Sequence, residues 1–167
     1  YLAPIMQVKD WSIACYAAKW LFDDKTMGAT VTPQEAFDRE DQSILTGIWK
    51  LMDEANIVVT QNGIEFDIKK LNSRFLKYRM SPPARFLNVD TLKVARSTFG
   101  ESYNRLDALV QKFGIGKKID MTKNDWKLCL TNYRSARQGL DRMLIYCKND
   151  IAPLLEDVYL NILPYIP

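Results

Sequence analysis

Apolar residues recur along this chain in two rhythms, one of short alternating or continuous runs and one of three-and-four spacing. In "DREDQSILTGIWKLMDEAN" acids open the run, and Ile44, Ile48 and Leu51 then fall on one face with Leu45, Trp49 and Met52 alongside. That spacing predicts an amphipathic helix. Earlier, the aromatic and small residues of Trp11 to Leu21 ("WSIACYAAKWL") are followed by the turn-forming "FDDKT" and a second short run, "MGATVT", which together predict a hairpin. The β-branched run Ile57 to Thr60 ends at the polar "QNG", the pattern of a buried strand and a turn. "FDIKKLNSRFLKYRM" predicts a helix stopped by Pro82 and Pro83, "FLNVDTLKVARSTF" a short strand running into a helix, and "NRLDALVQKFGIG" a helix closed by Gly114 and Gly116. A last helical region runs from about Ser135 to Ile162, with Pro153 marking a break near Asp150. Strands alternating with helices after an initial hairpin predict an α/β layered domain with a mixed sheet.

Composition narrows this picture. At 167 residues and 47% hydrophobic content, the chain suits one domain spanning residues 1–167, with no repeat or low-complexity linker. No apolar run approaches the ~18 residues that cross a bilayer, and the N-terminal stretch lacks the charged start and apolar middle of a signal peptide. A soluble protein with cytoplasmic localisation and no membrane partner is expected. Cys15, Cys129 and Cys147 are scattered without a C-x-x-C pair, so they are expected as reduced thiols, mostly buried. The net charge of +3 carries little information about nucleic acid, because clustering of charge matters more than its sum. The chain has no histidine. Histidine triads, histidine-ligated zinc and histidine general bases are therefore excluded, and any catalysis runs on carboxylates, Tyr, Lys, Ser or Cys.

Two places carry candidate chemistry. Asp67 follows the strand end and the Asn62-Gly63 turn at the head of a helix. Beyond a strand's C-terminal end is where ligand and metal sites gather in α/β sheets, although an Asp there also simply suits a helix N-terminus. Tyr146 and Asp150 stand at i and i+4, on one helical face about one turn apart. They read either as a site pair or as a packed Tyr beside an Asp that caps the next helix. The helix after Asp67 carries Lys70, Arg74 and Lys77, which form either a solvated face or a row of phosphate contacts. The four tryptophans are expected in core or hairpin packing, with Trp126 in the polar "KNDWKL" best placed to touch a base.

Taken together, "QNGIEFD" and the later "YCKND" resemble the second and third motifs of the DEDD exonucleases, the DnaQ-like 3′–5′ nucleases, in the subclass whose third motif is Y-x-x-x-D. The intervening "NVDTLKVARSTF" and "NRLDALVQKFGIG" are similar to that family's segments in the same order, and the ending resembles phage and bacterial predicted exonucleases. The resemblance implies a ribonuclease H-like three-layer α/β fold, with a mixed central sheet flanked by helices. It also implies 3′–5′ hydrolysis of phosphodiester bonds by two Mg²⁺ or Mn²⁺ ions, with Asp67 and Asp150 holding metal and Tyr146 orienting the attacking water. Asn62, Lys70, Arg74 and Lys77 would contact a single-stranded or 3′-ended nucleic acid. Asp90 and Asp107 are expected to make structural hydrogen bonds, and Glu65 to point away from Asp67.

The family's first motif, D-x-E on the first and central strand, is not found: "YLAPIMQVKD" offers Asp10 with no Glu two residues later. The expectation is a domain lacking its first strand, with the two acids and the missing sheet pairing supplied by an upstream segment or a partner chain, and with little activity of its own. The alternative is a catalytically inactive nucleic-acid-binding or assembly module on the same fold.

Overall fold

The structure is a computed structural model that describes residues 11–129 and 134–166. The stretch containing Asp10 lies outside the described residues. A hairpin leads, formed by antiparallel β1 (Cys15–Lys19) and β2 (Thr26–Thr30). Two helices follow, α1 (Pro33–Asp38) and α2 (Gln42–Glu54). Then β3 (Ile57–Thr60), α3 (Asp67–Lys77) and β4 (Leu87–Asp90) form a parallel crossover unit, Ile57 pairing with Leu87 and Thr60 with Asp90. Helices α4 (Thr91–Thr98), α5 (Leu106–Phe113), α6 (Lys123–Leu128), α7 (Arg134–Asn149) and α8 (Glu156–Ile162) complete the described chain.

Alternation along β1 sets up the layering. Tyr16 points to α2, where Gly47 leaves room for its hydroxyl; a Cβ there would overlap that oxygen. Its neighbour Cys15 points the other way, to Cys147 of α7, with sulfurs 3.2 Å apart. The hairpin thus lies between α2 and α7, as the sides of a strand require. Ile44, Leu140 and Met143 form a buried cluster on the α7 side, while Leu45, Ile48, Met52 and Phe75 form another between α2 and α3. A third cluster joins α4, α5 and α8 through Ala95, Leu109, Val110 and Val158.

Most expected elements stand where their patterns put them, with two differences. Instead of one continuous mixed sheet, the described residues hold two separate pairs, β1 with β2 and β3 with β4. Among the described residues β1 and β3 therefore each keep one edge without a strand partner. Two short helices escaped the periodicity because six residues show no apolar stripe. Yet both α1 and α6 open on a capping box, Thr32 with Glu35 and Thr122 with Asp125. The last helical region is interrupted, as Pro153 predicts: Ala152 leaves the helical region at φ −129°, ψ 120° between α7 and α8.

Glu156 at the start of α8 fixes that helix to the hairpin, because its carboxylate accepts from the Lys19 ammonium and from the Phe22 N–H. Burial alone would raise the Glu156 carboxyl, but these donors outweigh it and hold it below its usual range. A carboxylate depressed on folding stabilises above its unfolded pKa, and that contribution fades as the pH falls through the folded one. Glu156→Gln will therefore flatten the acid limb of a stability-versus-pH profile below about pH 5, where free Glu begins to protonate. An unchanged acid limb would show the contact to be idle.

Candidate functional site

The site is assembled at the C-terminal ends of the parallel strands. Asp90, buried at the end of β4, caps α4 by accepting from Leu92 N–H at 3.1 Å and Lys93 N–H at 3.4 Å. The same carboxylate accepts from Asn62 N–H at 2.8 Å and Ile64 N–H at 3.2 Å, so it also ties down the loop leaving β3. This is the structural role expected of Asp90. The Thr91 hydroxyl donates to the Thr60 carbonyl at 3.0 Å and closes the other side of the loop. At the turn, Asn62 takes a left-handed φ of 64°. Gly63 packs so tightly on Thr60 that a Cβ would stand 2.5 Å from Thr60 Oγ1. Gly63→Ala will force the loop off Asp90 and destabilise the fold by about 1–3 kcal/mol, the range for overpacking. A wild-type melting temperature would contradict this.

The rigid loop delivers Asp67 as the first residue of α3. Asp67 is exposed on one side, but protein packed against the other raises its carboxyl above the ordinary value, and the nearby Asp90 charge adds to the rise. Glu65 is directed elsewhere: its carboxylate pairs with Lys69 at 2.5 Å and Lys93 at 3.0 Å, which pull its pKa down to about 2.

Tyr146 stands in the last turn of α7 and Asp150 immediately follows that helix, and both lie beside Lys118. The Lys118 Nζ lies 2.8 Å from Asp150 Oδ2 and 5.2 Å from the centre of the Tyr146 ring. Burial would lower the Lys118 ammonium's pKa, but its hydrogen bonds to Asp150 and Tyr146 outweigh that and raise it. The other oxygen of Asp150, Oδ1, is buried without a hydrogen-bond partner. That does not match a helix cap, which would spend the oxygen on a backbone N–H. The Cys147 thiol is held below its ordinary value, chiefly by its contact with Cys15, while the charges of Asp150 and Asp67 oppose that.

These donors fit a hard divalent cation by their chemistry: carboxylate oxygens, one of them buried and unpartnered. They do not amount to a full set, since no group of three or more acidic or thiol side chains is gathered for metal among the described residues.

Beside this group opens a cleft of ≈ 590 Å³, with Asn62, Lys118 and Tyr146 in its wall. Arg96, Arg105 and Trp126 line it as well. Both arginines are exposed. Trp126, 47% exposed, stands edge-on to Tyr146 with ring centres 6.3 Å apart, so it is not the core tryptophan its composition suggested. Sequence reasoning did not single out Lys118, Arg96 or Arg105. For Arg96 the signal was its place in "DTLKVARSTF"; for the other two, basic residues beside turns gave none.

In the basic row on α3, Arg74 is corrected. Arg74 does not face solvent: it is buried, with Nε 2.7 Å from Asp41 Oδ2 and NH2 2.7 Å from Asp41 Oδ1, and it donates to the carbonyls of Trp11 and Arg39. A guanidinium so enclosed cannot reach a phosphate. Lys70 stacks 3.9 Å over the Trp11 ring, and Lys77 pairs with Glu40 at 3.3 Å.

Comparison with known proteins agrees with this layout. Residues 10–158 match the family described as the RNase_H superfamily. Part of the chain is also similar to the PolC-type DNA polymerase III of Ureaplasma parvum serovar 3 (strain ATCC 700970), at 32% identity over 76 residues. That similarity covers 46% of this chain but only 5% of the polymerase. No helix among the described residues is long and apolar enough to cross a membrane. With the family match covering most of its length, from before the hairpin into α8, the chain belongs to the RNase_H superfamily.

Proposed function

We propose that this chain is a DnaQ-like 3′–5′ exonuclease domain of the Tyr subclass, with Asp67 and Asp150 as metal-holding carboxylates and Tyr146 orienting the attacking water. The observation that carries this function is the pairing of Asp150 with Lys118, which together with Tyr146 stands in the wall of a cleft that also presents Arg96, Arg105 and Trp126. Bound Mg²⁺ or Mn²⁺ would generate hydroxide and stabilise the departing 3′ oxygen. The chain's own residues do the rest. The arginines attract the phosphate backbone, Trp126 offers a ring to an unstacked base, and the Tyr146 hydroxyl holds a proton-bearing partner at a fixed point on α7. The Y-x-x-x-D resemblance supports the 3′–5′ direction, and similarity to a DNA polymerase favours a DNA substrate.

The metal set needs further carboxylates. A D-x-E strand lying between the open edges of β1 and β3, from an upstream segment or a partner chain, would supply them and complete the sheet. The test is product laddering from 3′-labelled and 5′-labelled single strands with Mg²⁺, Mn²⁺ or EDTA, using the chain alone and the chain preceded by a D-x-E strand. The expected result is metal-dependent loss of nucleotides from the 3′ end with the strand present, and little without it. Strand binding without cleavage in either form would favour an inactive nucleic-acid-binding module on the same fold.

The strand path is separately testable. Arg96→Ala with Arg105→Ala will weaken single-strand binding and reduce the salt slope by about one unit for each phosphate no longer neutralised. Lys77→Ala, whose ammonium is paired with Glu40, will change the slope less. Equal effects would return the path to α3.

A further inference from the structure

Lys118 sits in the loop after α5, beyond the left-handed Gly114 that ends that helix. Its pairing with Asp150 is unlike the surface ion pairs elsewhere on the molecule. The Lys118 and Asp150 side chains are only 26% and 20% exposed, whereas those of Lys69 and Glu65 are 65% and 52% exposed. A freely solvated pair contributes little and exchanges partners readily, while a sheltered one holds its geometry. Lys118 also meets both residues of the Y-x-x-x-D motif at once, through the ion pair with Asp150 and across the Tyr146 ring. The ammonium thus lies against one Asp150 oxygen, leaving the other buried and without a partner.

We propose that Lys118 is a positioning residue that acts as the site's built-in cation, holding Asp150 and Tyr146 in register and competing with a divalent metal for the Asp150 carboxylate. This inference rests on the assignment of Asp150 as a metal-holding group. An ammonium and a divalent ion cannot share one carboxylate oxygen without strong repulsion at contact distance. A divalent ion on the free Oδ1 would face the ammonium on Oδ2 across a single carboxylate, so the two cations repel and metal binding displaces Lys118. The displaced side chain remains on the cleft wall, where its charge meets a phosphate oxygen of a bound strand instead. Lys118 in this way exchanges a carboxylate for a phosphate as the site fills.

The experiment is a Mn²⁺ titration of the chain, read by the electron paramagnetic resonance of free Mn²⁺ and by paramagnetic broadening of resonances near Asp150. Lys118→Met removes the charge and keeps most of the stem; Lys118→Gln keeps a hydrogen-bond donor; Lys118→Arg keeps the charge. Met and Gln variants will bind Mn²⁺ about tenfold more tightly than the parent, since a competing unit charge is gone, and the Arg variant will not. Adding Asp150→Asn to the Met variant will erase the gain. Single-strand affinity in the presence of Mn²⁺ will fall in the Met and Gln variants. Unchanged or weaker Mn²⁺ binding in both neutral variants overturns the proposal, and the Gln variant decides it if the Met variant does not fold. The two ideas fail separately: tighter Mn²⁺ binding without hydrolysis leaves Lys118 in this role and removes the nuclease, while hydrolysis with Mn²⁺ affinity indifferent to position 118 does the reverse.

Discussion

Alanine at Arg74 will destabilise the fold by about 3–5 kcal/mol, the cost of removing one partner from a buried ion pair. The guanidinium is 1% exposed and Asp41 is fully enclosed at 0%, so truncation leaves a carboxylate in the interior with its main countercharge gone. Asp41 keeps the Ile13 N–H at 2.8 Å, which does not balance a full charge. The damage spreads further, because Arg74 also holds the carbonyls of Trp11 and Arg39 and so joins α3 to the segment leading into β1 and to the turn after α1. Urea denaturation of Arg74→Ala, Asp41→Asn and the double variant checks this. The double variant is expected to recover part of the loss, because it no longer buries an unpaired charge. A loss below about 1 kcal/mol would mean that the pair is solvated, as surface pairs are. Below its lowered transition, Arg74→Ala will bind single strands as the parent does, which separates a structural arginine from a phosphate contact.

Arg74 also shows where the sequence stops being legible. Its spacing on α3 beside Lys70 and Lys77 is that of a basic face, and nothing local reveals that Asp41, 33 positions earlier, folds over it. Periodicity sees one helix at a time, so it found α2, α3 and α5 and the strands β3 and β4, whose apolar or β-branched runs are strong. It missed α1 and α6, whose evidence lies in capping boxes and not in a stripe. The same limit shaped the site. Asp67, Tyr146 and Asp150 could be chosen because motif order and strand ends mark them. Lys118 could not, because its role depends on a loop returning to α7, a tertiary event with no sequence period. The separation of the hairpin from the parallel pair was legible only indirectly, through the search for a D-x-E strand that failed.

Replacing Asp150 with alanine will reduce metal-dependent hydrolysis by roughly 10²–10³-fold or more, the scale for losing one preorganised electrostatic group at a reacting centre, in the form of the protein that carries a D-x-E strand. Asp150→Asn will do nearly the same, since it preserves shape and removes the charge that a cation needs. Stability will change less than activity, because Lys118, 26% exposed, can turn its ammonium to water once the carboxylate is gone. Tyr146→Phe separates the hydroxyl from the ring. The phenyl ring keeps its edge-on contact with Trp126, so the cleft wall and strand binding are retained. What goes is the oxygen that, in the proposed mechanism, orients the water. A fall of about 10²-fold in kcat with KM nearly constant is expected, the lower end of what a positioned proton-transfer group contributes and the pattern of an interaction made only in the transition state. A Phe variant as active as the parent would make Tyr146 a packing residue, and an active Asp150→Asn would move the metal-holding role away from α7 altogether.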